Sequence, residues 1–252
     1  MAIALRKPQE IDKLRAANKI VGGALKLLVE NTKPGISLKE LDAMAEDYIR
    51  SHDAKPSFKG LYGFPNAVCT SLNEVIIHGI PSEYKLQEGD VIGYDIGTER
   101  EGYFGDAAVS VGVGKISVED EALIACAKDS LYYAIENIKE GIRFKELSLL
   151  LENFIISRGF VPLRNFCGHG IGKKPHEEPE IPNYLEGGNP KAGPKIKNGM
   201  VFCIEPMICQ KESKPVILDN GWDVVSTDGL RGSHYEHTVA IVGGKAEILS
   251  LP

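Results

Sequence analysis

The chain has 252 residues, 43% of them hydrophobic and 25% charged, which is ordinary for a globular protein and enough for a large core. A net charge of −6 without any Lys/Arg cluster argues against a nucleic-acid footprint, and no apolar run reaches the roughly 18 residues that span a membrane. The start, MAIALRKPQEI, carries charge too early for a secretory signal, and five cysteines with no CxxC pair fit reduced thiols in a cytoplasmic protein.

Val29 to Ser51 (VENTKPGISLKELDAMAEDYIRS) reads as the end of a helix, a glycine turn and a second, amphipathic helix. Ser37 and Glu40 form a capping box for that second helix. The apolar run VIIHGIP then ends on His78 at a Gly-Ile-Pro turn. Two strands follow, LQEGDVIGYDIG with Asp95 and FGDAAVSVGVG with Asp106, joined by the short connection GTEREGYFG. Side chains near the joined ends of paired strands can bind one ion.

The next stretch repeats this plan. Ile135 to Ser157 (IENIKEGIRFKELSLLLENFIIS) matches the first segment at a constant offset, with Glu30, Asn31, Gly35, Ile36, Lys39, Glu40 and Leu41 among the residues that recur identically. Arg143 replaces the capping serine, so that helix has a weaker cap, while the preceding helix opens on Ser117 with Asp120. The strands repeat as well: Gly89 precedes Asp95 by six residues, and Gly199 precedes Glu205 by six. Glu236, in YEHTVAIVGG, corresponds to Asp106, but a longer gap containing Trp222 precedes it. His169 (CGHGIG) and His176 (PHEEP) lie between the repeat's helices and strands. The expectation is an α+β fold: one catalytic domain over 1–252, built of two halves at about 8–115 and 116–250 around a shared cleft, where ligand sites tend to form.

Asp95, Asp106, His169, Glu205 and Glu236 all sit in or beside apolar or glycine-rich runs. Burying an unpaired carboxylate costs several kcal/mol, comparable to the whole stability of a domain. Four carboxylates and one imidazole suit two divalent ions of the Mn, Fe, Co or Zn kind, and the lack of a thiolate set disfavours a structural zinc. A water bridging two such ions is acidified towards hydroxide and can attack a carbonyl carbon, so amide hydrolysis is the natural chemistry. His78 and His176, in glycine- and proline-punctuated turns, are placed to hydrogen-bond a developing oxyanion or the scissile nitrogen. His52, His234 and His237 read as structural or surface residues, with His237 facing away from Glu236 in a strand. The cysteines other than Cys69 read as small buried hydrophobes. No phosphate loop, dinucleotide fingerprint, HExxH or GxSxG is present.

The motifs EIDKLRAANKIV, NAVCTSLNEVIIHGIP, CGHGIG, PHEEP, FCIEPM and HYEHTVAIV, in this order, closely resemble those of the type I methionine aminopeptidases nearly end to end. The resemblance implies the duplicated pita-bread α/β fold, with antiparallel strands around a central metal cleft and helices outside. It implies Asp95, Asp106, His169, Glu205 and Glu236 as ligands of two divalent ions (Co, Mn, Fe, Zn or Ni). Asp106 and Glu236 would bridge, and Glu205 would double as the general base. His78 and His176 match the histidines that contact substrate and steady the tetrahedral intermediate. Phe64, Cys69 and Trp222 match the methionine pocket. Phe58 and Leu61 stand where well-known members have a cysteine and a tyrosine, Phe64 replaces a second tyrosine, and Pro175 replaces an aromatic residue; all four remain apolar.

The implied activity is removal of the initiator methionine from nascent chains whose second residue is small, by a bridging hydroxide attacking the first peptide carbonyl. The implied setting is a cytoplasmic monomer that meets the ribosome transiently, with no membrane and no specific nucleic-acid partner. An Xaa-Pro peptidase is disfavoured by the lack of a separate domain ahead of the repeat. A non-catalytic binding module or a metal-free hydrolase is disfavoured by the intact ligand set.

Overall fold

Helix α1 (Pro8–Asn31) opens with a proline in its first turn, where a missing N–H costs nothing, and buries Ile11, Leu14, Ala17, Val21, Ala24 and Leu28 along one face. Thr32 ends it, and Gly35 at φ 94° turns the chain into α2 (Leu38–Ser51). Nothing lies within 4 Å of where a Gly35 side chain would begin, so the left-handed backbone alone calls for glycine. The computed structural model describes residues 2–251.

The first half continues through β1 (Lys55–Pro56), β2 (Val68–Leu72), β3 (Val75–Ile77), β4 (Val91–Arg100) and β5 (Tyr103–Gly112). The second opens with α3 (Val118–Asn137) and α4 (Phe144–Ser157). Strands β6 (Val161–Pro162), β7 (Cys167–Gly170), β8 (Glu177–Pro182), β9 (Val201–Ile204) and β10 (Met207–Cys209) follow. The chain closes with β11 (Pro215–Ile217), β12 (Val224–Ser226), β13 (Gly232–His234), β14 (Glu236–Val242) and β15 (Lys245–Ile248).

The two halves fold by the same local rules. Gly35 N–H donates to Leu86 O at 2.8 Å and Leu86 N–H donates to Ile36 O at 2.9 Å; at the equivalent turn of the second half Gly141 donates to Ile196 at 2.9 Å and Ile196 to Ile142 at 2.8 Å. Gly141 repeats the left-handed turn at φ 95°. Ser37 accepts from Glu40 N–H at the start of α2, whereas Arg143 supplies no side-chain acceptor and retains the reciprocal bond from its own N–H to Glu146. Ser117 accepts from Asp120 N–H at 3.1 Å, as the capping pattern predicts.

A nine-stranded antiparallel sheet runs in the order β1–β4–β5–β14–β9–β7–β8, with β2 added on β4 and β15 on β14. Helix α1 packs across β4 and β5. One core cluster joins α1, α2, β2 and β4, and another joins α3, α4, β9 and β14. The GTEREGYFG connection is tighter than expected: β4 and β5 pair continuously to Arg100–Tyr103, leaving only Glu101 and Gly102 as the turn. Both have positive φ, 51° and 77°, the requirement of a two-residue hairpin that follows the strand twist. Asp95 and Asp106 therefore lie well inside the ladder rather than near its joined ends.

Candidate metal centre

Sheet register decides which side chains meet. Asp106 pairs with Gly97 and Asp95 with Ala108, which places the two aspartates diagonally on one face of the β4–β5 hairpin. On the other side of β5, Glu236 pairs with the same Ala108. The small Ala108 thus sits between Asp95 and Glu236 and leaves the space over β5 to their carboxyl groups. Glu205 follows the last residue of β9, and His237 pairs with Ile204, so Glu205 emerges beside Glu236. His169 comes from β7, whose Gly170 pairs with Phe202 of β9. A side chain on Gly168 would run into the Cys203 carbonyl, so glycine there lets β7 approach β9 closely enough to deliver His169.

The resulting contacts are short. His169 Nε2 lies 3.5 Å from Glu205 Oε1 and 3.9 Å from Asp106 Oδ2. The Asp106 backbone is held from both sides: its N–H donates to Asn18 Oδ1 of α1 at 3.2 Å, and its carbonyl accepts from the Thr238 hydroxyl at 2.7 Å. These anchors fix where the carboxylate projects.

The electrostatics are those of converging buried carboxylates. Burial pushes the Asp95 carboxyl up to about 7. Burial and then the neighbouring carboxylates push Asp106, Glu205 and Glu236 well above the usual carboxylate range. Burial holds His169 down to about 3, as a neutral imidazole suited to ligation. Asp95 Oδ1, Asp106 Oδ1 and Glu236 Oε1 are buried and have no hydrogen-bond partner. No lysine or arginine is among the described residues that line the cavity over them. Buried oxygens that converge without a donor or a protein cation match the donor set of a divalent metal, and Asp106, His169, Cys203 and Glu236 bring ligand-type atoms within 4.8 Å of one another.

The cavity measures about 490 Å³. Its lining takes in the five candidate ligands, both candidate histidines, and the predicted pocket residues Phe58, Leu61, Phe64, Cys69 and Trp222. Phe58, Phe64 and Cys69 are buried and pack with Leu61, Ile80 and Trp222 into a small apolar cluster of their own. Phe64 and Trp222 meet edge to face at 5.0 Å. His78 ends the apolar run at φ 61°, its ring edge-on to Phe166 at 5.7 Å and held down to about 4 by burial. His176 stands at the exposed rim, 4.5 Å from the His169 ring and perpendicular to it. His237 turns away from the cluster, as the strand alternation requires, and bonds Tyr132 and Ser250. His234 is buried, with neither ring nitrogen partnered.

Two lining or neighbouring residues escaped the sequence reading. Tyr62 is 78% exposed, at φ 51° between Gly60 and Gly63, and stacks parallel to His176 at 6.0 Å. Its flanking glycines were the available signal. Cys203 reads as a core thiol, yet it lies two residues before Glu205 on the same strand, and alternation alone puts both on one face.

Known proteins align with this geometry. The model of metallopeptidase family M24 matches residues 12–242. A methionine aminopeptidase of Helicobacter pylori (strain ATCC 700392 / 26695) is 62% identical over 251 residues, covering 99% of each chain. The methionine aminopeptidase of Escherichia coli (strain K12) is 35% identical, across 100% of this chain and 95% of that one. Among solved structures, the methionine aminopeptidase of Thermotoga maritima superposes with a TM-score of 0.96 at 36% identity, covering 100% of both chains. The prolidase of Pyrococcus furiosus, at 23% identity and a TM-score of 0.80 over 98% of this chain and 65% of that one, shares the pita-bread fold alone.

Proposed function

The chain belongs to metallopeptidase family M24, among its methionine aminopeptidases, and from that premise we propose that it removes the N-terminal methionine of nascent polypeptides whose second residue is small. The observation that carries the reading is the convergence of unpartnered buried carboxylate oxygens beside a separate apolar pocket in one cavity. Asp95, Asp106, His169, Glu205 and Glu236 would hold two divalent ions, of the Co, Mn, Fe, Zn or Ni kind. Ions bound there supply Lewis acidity to the scissile carbonyl and lower the pKa of water to near neutral.

The chain's own groups do the rest. Phe58, Leu61, Phe64, Cys69 and Trp222 offer an apolar wall to an unbranched side chain, and the Phe64–Trp222 edge contact fixes the shape of that wall. Glu205, 3.5 Å from His169, lies where a carboxylate can take a proton and pass it to the leaving amine. His78 and His176 converge on the cavity from β3 and from the turn before β8, and their ring N–H groups can donate to the carbonyl oxygen and the scissile amide as charge develops. Tyr62 backs His176 at the rim.

A nascent-chain substrate fits a monomer that works in the cytoplasm and meets the ribosome in passing. No helix among the described residues is long and apolar enough to cross a membrane. The test is to reconstitute metal-stripped protein with each ion in turn and offer Met-Ala-Ser, Met-Lys-Ser and Ala-Pro peptides. Methionine released from Met-Ala-Ser alone supports the reading. No release with any ion, or faster Xaa-Pro cleavage, overturns it.

A further inference from the structure

The segment ahead of α1 is pinned just before β9, where the Arg6 N–H donates to the Gly199 carbonyl at 2.6 Å. The Arg6 side chain is only 9% exposed, and its guanidinium pairs through Nη2 with Glu177 Oε2. A side chain on Gly172 would run into that same Nη2, so glycine there admits the guanidinium against the backbone. The other carboxylate oxygen, Glu177 Oε1, accepts from the Lys173 N–H at 2.8 Å and from the Lys174 N–H at 3.2 Å. One carboxylate thus joins Arg6 to the backbone of the β7–β8 connection. The β7–β8 ladder ends at the pair Gly170–Glu177, so His176 stands just outside it, on that connection. Among the described residues no group hydrogen-bonds the His176 ring, which stacks on Tyr62 at 6.0 Å and meets His169 edge-on at 4.5 Å. Its place over the cavity therefore depends on the backbone that Glu177 ties down.

We propose, on the methionine aminopeptidase reading above, that Arg6 is a positioning residue: through Glu177 it fixes the connection 171–176 and holds His176 where its ring N–H can donate to a bound substrate. The pair is shielded, with Glu177 17% exposed, so salt screens it less than a surface pair, and its bonds to two backbone N–H groups are charge-assisted. A second tie, Lys173 Nζ to Glu10 Oε1 at 3.2 Å, is more exposed and holds the turn weakly. The methionine wall and four of the five candidate ligands come from other segments, so loss of Arg6 acts on His176 first. A catalytic group displaced by about 1 Å can lose about 100-fold in rate.

The test uses the full chain as wild type, Arg6→Ala, Arg6→Met, His176→Ala and the double variant Arg6→Met/His176→Ala. Thermal unfolding establishes that each folds, and Arg6→Met, which keeps an apolar stem over Gly172, stands in should the alanine variant fail to fold. Hydrogen exchange at the Lys173 and Lys174 amides is expected to quicken about tenfold or more in the Arg6 variants. With saturating Mn(II) and Met-Ala-Ser, kcat is expected to fall about 10–100-fold while KM stays within about twofold. In the His176→Ala background the same Arg6 change is expected to cost almost nothing further, because no ring is left to position. Unchanged exchange at both amides overturns the tie itself. An unchanged kcat, or a loss of equal size with and without His176, overturns the positioning role. Wild type that releases no methionine with any of the ions refutes the aminopeptidase reading instead, and the exchange rates then still decide whether Arg6 holds the turn.

Discussion

Replacing Asp95 by asparagine separates what the buried charge costs from what it does. Burial lifts this carboxyl from 3.8 to about 7. A rise of about three units at ~1.4 kcal/mol each amounts to roughly 4 kcal/mol, taken as an upper figure. The folded chain keeps this proton to higher pH than the unfolded chain does. Stability from the group is therefore fully present below the unfolded value and is lost as pH rises through the folded one. Buried histidines run the other way: His169 is held down to about 3 and His78 to about 4, so their contribution is lost on acidification. Those histidine contributions are common to both proteins and cancel when variant is compared with wild type. Asparagine keeps the shape and cannot ionise. With metal removed by chelation, Asp95→Asn should melt above wild type at about pH 8, and the gap should close towards about pH 4. If half the upper figure is realised, the gap at high pH is roughly 4–8 °C for a chain of this length. Saturating Mn(II) should then raise the melting temperature of wild type and leave the variant nearly unmoved. A metal-free variant that melts below wild type at high pH, or a gap that does not change with pH, would refute the idea that an uncompensated buried carboxylate is held there for an ion.

The duplicated turns offer a test of the fold itself: Gly35→Ala and Gly141→Ala should each cost about 1–2 kcal/mol, because both backbones are left-handed and neither site is crowded. Equal losses in melting temperature, additive in the double variant, check the equivalence of the halves; a loss at one turn only would break it. At the pocket, Trp222→Ala removes the edge contact to Phe64 at 5.0 Å and should raise KM for Met-Ala-Ser about tenfold, while the metal-induced rise in melting temperature stays as in wild type. An unchanged KM would remove Trp222 from the methionine wall.

Much of this arrangement is legible in the sequence alone. A repeat written in helix caps and glycine turns survives in sequence because each signal acts locally: Ser37 and Glu40 bond within one turn, and Gly35 answers to its own φ. The four carboxylates were legible for a different reason, since charge inside an apolar strand is expensive anywhere and so announces a purpose. What stayed hidden depends on contacts between distant strands. The β4–β5 ladder runs through the charged GTEREGYFG stretch because polar residues are tolerated at the solvent end of a hairpin, and composition there reads as a loop. Cys203 resembles any core thiol until β9 is laid beside β14 and Thr238 appears as its acceptor. Tyr62 has no apolar periodicity to mark it; its role comes from stacking on His176, more than a hundred residues away in the chain.

The proposed ion site lies where the two halves meet. Strand β5 of the first half joins β14 of the second at the pairs Ala108–Glu236 and Ala107–His237. Each half has its own apolar cluster on its own helices, and a third cluster packs across the junction, with Ile11, Leu14 and Tyr103 from the first half against Val201, Cys203 and Ala240 from the second. The junction also collects the carboxylates that the repeat delivers from both sides: Asp95 and Asp106 from β4 and β5, Glu236 from β14, and Glu205 just after β9. Ala108, lying between Asp95 and Glu236, gives their side chains room to turn towards a common centre, whereas a larger residue there would push them apart. Left ionised, the four would repel across the seam; protonated, they would forfeit their ligating oxygens. On the proposed assignment a multivalent cation would resolve both conditions at once and link carboxylates from the two halves where β5 and β14 pair at only two positions. The proposed metal centre thus lies at the seam where the two halves of the duplicated sheet pair.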